Sequence, residues 1–280
     1  MSKVRFHLYR YQILPRDRFF QGDLYGASSI EDLISQKNDI FKSALLSEGA
    51  FQSGRTDVAV RPIHQEGNFL LFRLAANRSI TLEAKDFSTK STENWPKILF
   101  AILNEPDQQI IAIQHRSNAF QSTDAVMRMA MKSVESFLHN YQLVVEWEPL
   151  FEKKAFWDLV KTYEGRVKKV EFEFITPNMA GISRVLPDGL KNLAKKSNAT
   201  KGVLAIEAAH DASLTLDKDD PVIGGLASYA GDGGGAIALT IRGIKKKVKT
   251  KGASRELEID EVNIEGNAKL VVQAILDILK

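Results

Sequence analysis

The chain of 280 residues is 44% hydrophobic, carries a formal net charge of +3 and contains no cysteine. That length and apolar content suit about two domains with cores of their own, and the lack of thiols excludes disulfides, zinc–thiolate centres and thiol catalysis. No run approaches the ~20 apolar residues of a membrane-spanning helix, and the first residues alternate instead of forming a signal-peptide core, so the sequence reads as cytoplasmic.

Residues 3–14 set Val4, Phe6 and Leu8 against Arg5, His7 and Tyr9 and predict a strand. Ser28 or Ser29 then caps a helix with an apolar stripe of Ile30, Leu33, Ile34, Phe41, Leu45 and Leu46, and with Glu31 and Asp32 where the helix dipole favours acids. Short strands follow at 56–63, 68–75 and 79–86, the last with Ile80, Leu82 and Ala84 facing a core. The apolar runs 98–103 and 109–115 flank a turn sequence at 104–107 and predict a hairpin. Ser122 or Thr123 caps a helix that buries Val126, Ala130, Val134 and Phe137.

The middle of the chain opens and closes as a strand, at 144–147 and 167–175, around a helix carrying Phe156, Leu159, Val160 and Tyr163 and stopped by Gly165. A helix from Pro187 to about residue 197 turns Leu190, Leu193 and Ala194 inward and Lys191, Lys195 and Lys196 outward. A strand at 202–208, a helix capped by Asp220 and ending at Gly231, a hairpin of strands at 236–251 and 256–264, and a helix from 267 complete the chain. The fold class is α+β, with mainly antiparallel sheets packed against helices. Two domains are expected, 1–150 and a basic 151–280. Apolar residues on more than one face of the last helix, Leu270 and Leu276 flanking its stripe, predict a homodimer.

Charge is unevenly placed. The first 150 residues hold 17 basic and 17 acidic side chains, the remainder 21 and 18. Between 241 and 255 lie Arg242, Lys245, Lys246, Lys247, Lys249, Lys251 and Arg255 without an acid. Such a cluster suits phosphate neutralisation. An acidic strand with Glu256, Glu258, Asp260 and Glu261 follows at once, and a hairpin could pair the lysines with it across the ladder. Three consecutive lysines must show charge on both faces of a strand, however, and only one face can meet those acids. Arg166, Lys168 and Lys169 form a second basic group, and Lys191, Lys195 and Lys196 a third. No aromatics are interleaved with them, which favours a duplex backbone over stacked single strands.

From Phe69 onward the order of features resembles the Rex-like phage-exclusion proteins. The matching features begin with a strand ending Leu70, Leu71 and Phe72, a polar turn into Arg78-Ser79-Ile80, and a hairpin of apolar strands. A polar loop with a helix, the tripeptide Glu148-Pro149-Leu150, and Gly165-Arg166 with Lys169-Val170-Glu171 complete them. The resemblance covers residues 69–176 and stops at Pro177. It implies a cytoplasmic, two-domain, homodimeric DNA-binding protein without catalytic activity or cofactor, acting in phage exclusion or antiviral immunity, with a membrane-protein partner.

Asp57 with Glu83 and Lys85 supplies the contrary reading, a metal-dependent nuclease of the PD-(D/E)xK type, in which residues i and i+2 of a strand place carboxylate and ammonium around one Mg²⁺. An amphipathic strand with Ile80, Leu82 and Ala84 on the core and Thr81, Glu83 and Lys85 in solvent yields the same pattern, and Thr56 stands where such nucleases carry proline. Gly231 to Gly235 follows a helix and precedes a strand, the wrong order for a phosphate loop, and reads as a helix stop and hinge. The five histidines lack ligand spacing, and His210-Asp211 lies at a strand end and not in the helical setting of metal phosphohydrolases. A third reading is a protein-interaction module whose charges only solvate.

Overall fold

The computed structural model describes residues 3–19, 27–52, 57–176, 184–250, 255–260 and 268–279. Its strands, all in antiparallel pairs, form three sheets. The first is organised on β1 (Lys3–Pro15), which bonds along one edge to β7 (Gln108–Gln114) and along the other to β13 (Glu256–Asp260) and then β8 (Leu143–Pro149). Beyond β7 come β6 (Lys97–Glu105), β3 (Phe69–Ala76) and the edge strand β2 (Val58–Glu66). A ribbon of β4 (Ile80–Glu83) and β5 (Thr89–Thr92) stands apart as a sheet of its own.

One face of the first sheet is covered by α1 (Ile30–Leu46) and α2 (Thr123–Asn140). Both helices begin where a serine presents its oxygen: Ser29 accepts from the Asp32 amide and Ser122 from the Ala125 amide. Tyr9, Tyr11, Phe41, Phe51 and Phe100 fill the space between, all fully buried. The buried tyrosine hydroxyls there are paired, since Tyr11 donates to Asn104 Oδ1 at 2.7 Å and Tyr9 to Asp124 at 2.6 Å.

Lys37 of α1 is the costly exception, 3% exposed, with burial pulling its pKa down to about 8 against the partial relief of Asp107. A folded pKa below the unfolded 10.5 means that the unfolded chain binds the proton more tightly, so this group penalises folding fully below pH 8 and progressively less up to 10.5. Lys37→Met is therefore expected to exceed wild type in urea stability at pH 7 by about 2 kcal/mol, with the advantage shrinking as pH rises through that window. A constant difference across pH would show that Lys37 keeps its ordinary ionisation.

The other face of the first sheet carries a second core, in which Phe6, Leu8, Phe69, Leu71, Ala101 and Leu103 meet α6 (Ala268–Leu279). Val272 and Ile275 of α6 are buried and Leu276 partly so. Ala274, Ile275 and Leu276 of the stripe that predicted a homodimer thus pack within the chain, while the side chains of Leu270, Val271 and Ile278 lie outside the described residues.

The second sheet runs β10 (Lys201–Glu207), β9 (Val167–Ile175), β11 (Ile237–Ile241), β12 (Val248–Lys249). Alternation sends Val170, Phe172 and Phe174 of β9 into a core with α3 (Lys153–Thr162), α4 (Asp188–Lys196) and α5 (Pro221–Tyr229). The opposite face holds Lys169, Glu171 and Glu173.

One expectation fails here. The hairpin of 236–251 with 256–264 does not form: β11 turns back on β12, and β13 crosses to β1, pairing His7 with Glu256 and Arg5 with Glu258. Non-local pairing of this kind leaves no trace in local periodicity. As a result β13 and α6 lie with the first sheet, so sheet membership departs from a division at residue 150.

The glycine run is packed tightly and is not an open hinge. A π-helical turn at Ala230–Gly234 follows α5, with Gly233 at φ +79°, where a side chain would meet Arg10 Cβ at 2.4 Å. Contacts between the two sheets gather nearby: the Phe151 amide donates to Gly231 O at 3.3 Å, and Lys201 pairs with Glu146 at 2.7 Å.

Candidate nucleic-acid interface

The basic residues picked out from sequence separate into three groups. Arg166, Lys168 and Arg242 come together around the loop after β10 and hold it. Lys168 Nζ donates to the carbonyls of Ala209 at 2.8 Å, Ala212 at 2.6 Å and His210, while Arg242 reaches those of Asp211 and Ala212 at 3.1 and 3.2 Å. Arg166 donates to the Arg242 carbonyl at 2.9 Å and lies over the Tyr163 ring. These charges organise the protein's own backbone.

Lys169, Lys191 and Lys247 form ion pairs. Lys169 lies 3.3 Å from Glu207 and 3.6 Å from Glu171, and Glu207 above all raises its pKa. Lys191 pairs with Asp188 at 2.6 Å within α4. Lys247 bonds Glu171 and is the main cause of that carboxyl's lowered pKa. The acids expected to neutralise the lysine run are elsewhere: Glu258 holds Lys3 at 2.9 Å, and Glu256 lies 3.2 Å from His7 and 3.7 Å from Arg5.

Lys195, Lys196, Lys245, Lys246 and Lys249 remain exposed, and none forms an ion pair with a described residue. The first two end α4 and the others line the β11–β12 turn and β12. Lys251 lies outside the described residues.

The nuclease reading loses its geometry. Glu83 ends β4 and Lys85 is already in the turn, so the two do not share a strand face. Asp57 lies at the base, its carbonyl accepting from the Asn77 amide at 3.0 Å, about 20 Å of extended chain from Glu83. Ile80 and Leu82, expected in a core, are 43% and 54% exposed. His210 and Asp211 contact each other at 3.0 Å in open solvent. Among the described residues no three His, Cys, Asp or Glu side chains cluster to hold a metal ion.

A basic site absent from the sequence reading lies at the rim of the first sheet. A cleft of about 490 Å³ is lined by Lys3, Arg5, Arg73, Lys97, His115 and Arg116, and by no carboxylate. The register explains it. Arg73 is opposite Leu99, whose amide donates to Gln114 Oε1, and Arg116 donates to the Lys97 carbonyl at 3.1 Å. Alternation then places Arg73 and Lys97 on the face that α6 covers lower down, past the end of its apolar contacts, and Arg116, two residues beyond β7, joins them through its bond to Lys97.

Arg61 of β2 is directly opposite Arg73 and extends the row to the sheet edge. Like charges in such a cross-strand pair destabilise a sheet, and neither arginine has a carboxylate partner among the described residues. From Arg61 to Arg116 the row crosses four strands, about 14 Å. No cluster in the sequence announces these residues, which are brought together only by pairing. A one-residue bulge in β2 between Pro62 and His64 decides the matter, because an unbroken register would set Leu74 against Arg61.

No family model, curated protein or solved structure matches the chain.

Proposed function

We propose that this is a non-enzymatic double-stranded DNA-binding protein that holds the duplex by its phosphate backbone. The observation that carries the reading is the row of Arg61, Arg73, Lys97 and Arg116 across an open sheet face, none of them paired with a carboxylate among the described residues. A duplex presents one negative charge per ~1.7 Å of axis, so an extended row of cations meets several phosphates at once, and a single phosphate would leave most of the row unmatched. The exposed lysines 195, 196, 245, 246 and 249 supply further non-specific attraction. The setting in phage exclusion, the homodimer and a membrane-protein partner belong to the proposal through the Rex-like resemblance of residues 69–176 alone.

Gel-shift titrations of unrelated duplexes with and without Mg²⁺ test it. Similar affinity for every sequence is expected, with all DNA recovered intact. Mg²⁺-dependent cleavage that disappears in Glu83→Gln would instead establish the nuclease reading.

A further inference from the structure

The ribbon of β4 and β5 has no place in the cores or in the cationic row, yet it grows from the lip of the cleft, joining the strand of Arg73 to the strand of Lys97. Every residue from 78 to 93 is exposed. An isolated two-stranded ribbon is only marginally stable in water, and this one places Ile80 and Leu82 in solvent without support from the rest of the fold.

Its tip is the stronger indication. The turn closes with the Phe87 amide donating to Ala84 O and the Ala84 amide to Ser88 O, both at 2.9 Å. The position before Ser88 is left-handed, which glycine or asparagine adopts readily. Here it is phenylalanine, at φ +61° and 95% exposed. Two unfavourable choices, a strained backbone and a bare aromatic ring, coincide at one residue, and no contact among the described residues offsets either.

Charge on the ribbon is sorted. Register places Ile80 and Leu82 on one face with Thr92 and Lys90, and Glu83 on the other face. Asp86, next to the tip, turns inward, accepting from Ser88 N at 3.1 Å and Ser88 Oγ at 2.6 Å. The apolar face thus carries Lys90 and no carboxylate, and the Phe87 ring at the tip is bare. At the base, Arg78 donates to the carbonyl of Ala119 at 2.9 Å and anchors the ribbon.

We propose that the β4–β5 ribbon is an arm that enters the minor groove of the duplex held on the cationic face and sets the Phe87 ring against the base stack. Apolar side chains used in this way part a base step and bend the duplex toward the major groove. The inference rests on the DNA-binding reading above and adds where the duplex is deformed and by which residue.

The test uses the full chain and a short duplex carrying a fluorescent adenine analogue beside a flexible TA step, which brightens on unstacking. Wild type is expected to brighten it. Phe87→Gly is expected to bind about tenfold more weakly with an unchanged salt dependence and no brightening, while melting no lower than wild type, because glycine suits the left-handed turn. If Phe87→Gly brightens and binds like wild type, the arm assignment falls and backbone binding stands. If Phe87→Gly turns a dimer into a monomer with duplex binding unchanged, the arm docks on a second copy and the assignment falls. If wild type binds no duplex at low salt, both readings fall.

Discussion

Replacing Arg61, Arg73 and Lys97 together by glutamine is expected to weaken duplex binding on the order of tenfold to a hundredfold at low salt and to flatten the plot of log affinity against log salt by about 2.7, or 0.9 for each lost phosphate contact. The three side chains have no carboxylate partner among the described residues, so the fold loses no ion pair. Removing Arg61 from its position opposite Arg73 relieves a cross-strand repulsion. The variant should thus melt at or slightly above the wild-type temperature while binding poorly. Fluorescence anisotropy with a labelled duplex, beside a melting curve of the same preparation, reads both. Arg116 is left in place because its guanidinium also supports the Lys97 carbonyl. Equal affinity and slope in wild type and variant would move the interface away from this cleft.

Gly235→Ala is expected to be the most damaging added methyl group among the described glycines, with a loss above about 3 kcal/mol. Its φ of 167° is ordinary extended backbone, so the effect is steric. A Cβ there would lie 1.8 Å from the Glu173 carbonyl oxygen and 2.9 Å from Phe174 Cα, both backbone atoms of β9, with no flexible side chain to give way. The Glu173 amide donates to Ala236 O at 2.8 Å and fixes the two segments together. Gly165→Ala is the control: φ is +70°, with nothing within 4 Å of the added carbon, so only left-handed strain of about 1 kcal/mol is at stake. Urea denaturation of the pair separates close packing from strain, and a mild Gly235→Ala would mean that the glycine run is the open hinge its sequence suggests.

What could be read from sequence follows from how far each signal reaches along the chain. Ser29 and Ser122 cap helices through bonds only three residues long, and the 98–103 and 109–115 strands meet across a short turn, so these elements and the α+β class are legible. Glu256 illustrates the limit. Its nearest basic neighbours in sequence are Arg255 and the lysines before it, yet its ion-pair contacts are Arg5 and His7, some 250 residues away, because β1 is long enough to take β13 and β8 end to end along one edge. The partners of the basic residues are hidden for a related reason: Lys247 has Glu171 of β9 beside it, while Arg166, Lys168 and Arg242 bond backbone carbonyls. Conversely, Arg61, Arg73, Lys97 and Arg116 are scattered singly through half-apolar strands and become a site only by register. Leu82 shows the reverse error, since a period of two marks a strand whether or not anything covers its apolar face.

The central claim, that the cationic row neutralises consecutive phosphates, is tested most directly by the salt dependence of wild-type affinity for a short duplex. With four cations of the row engaged, log affinity should fall against log salt with a slope of about −3.6 or steeper. A slope near zero, or no binding at low salt, would contradict it.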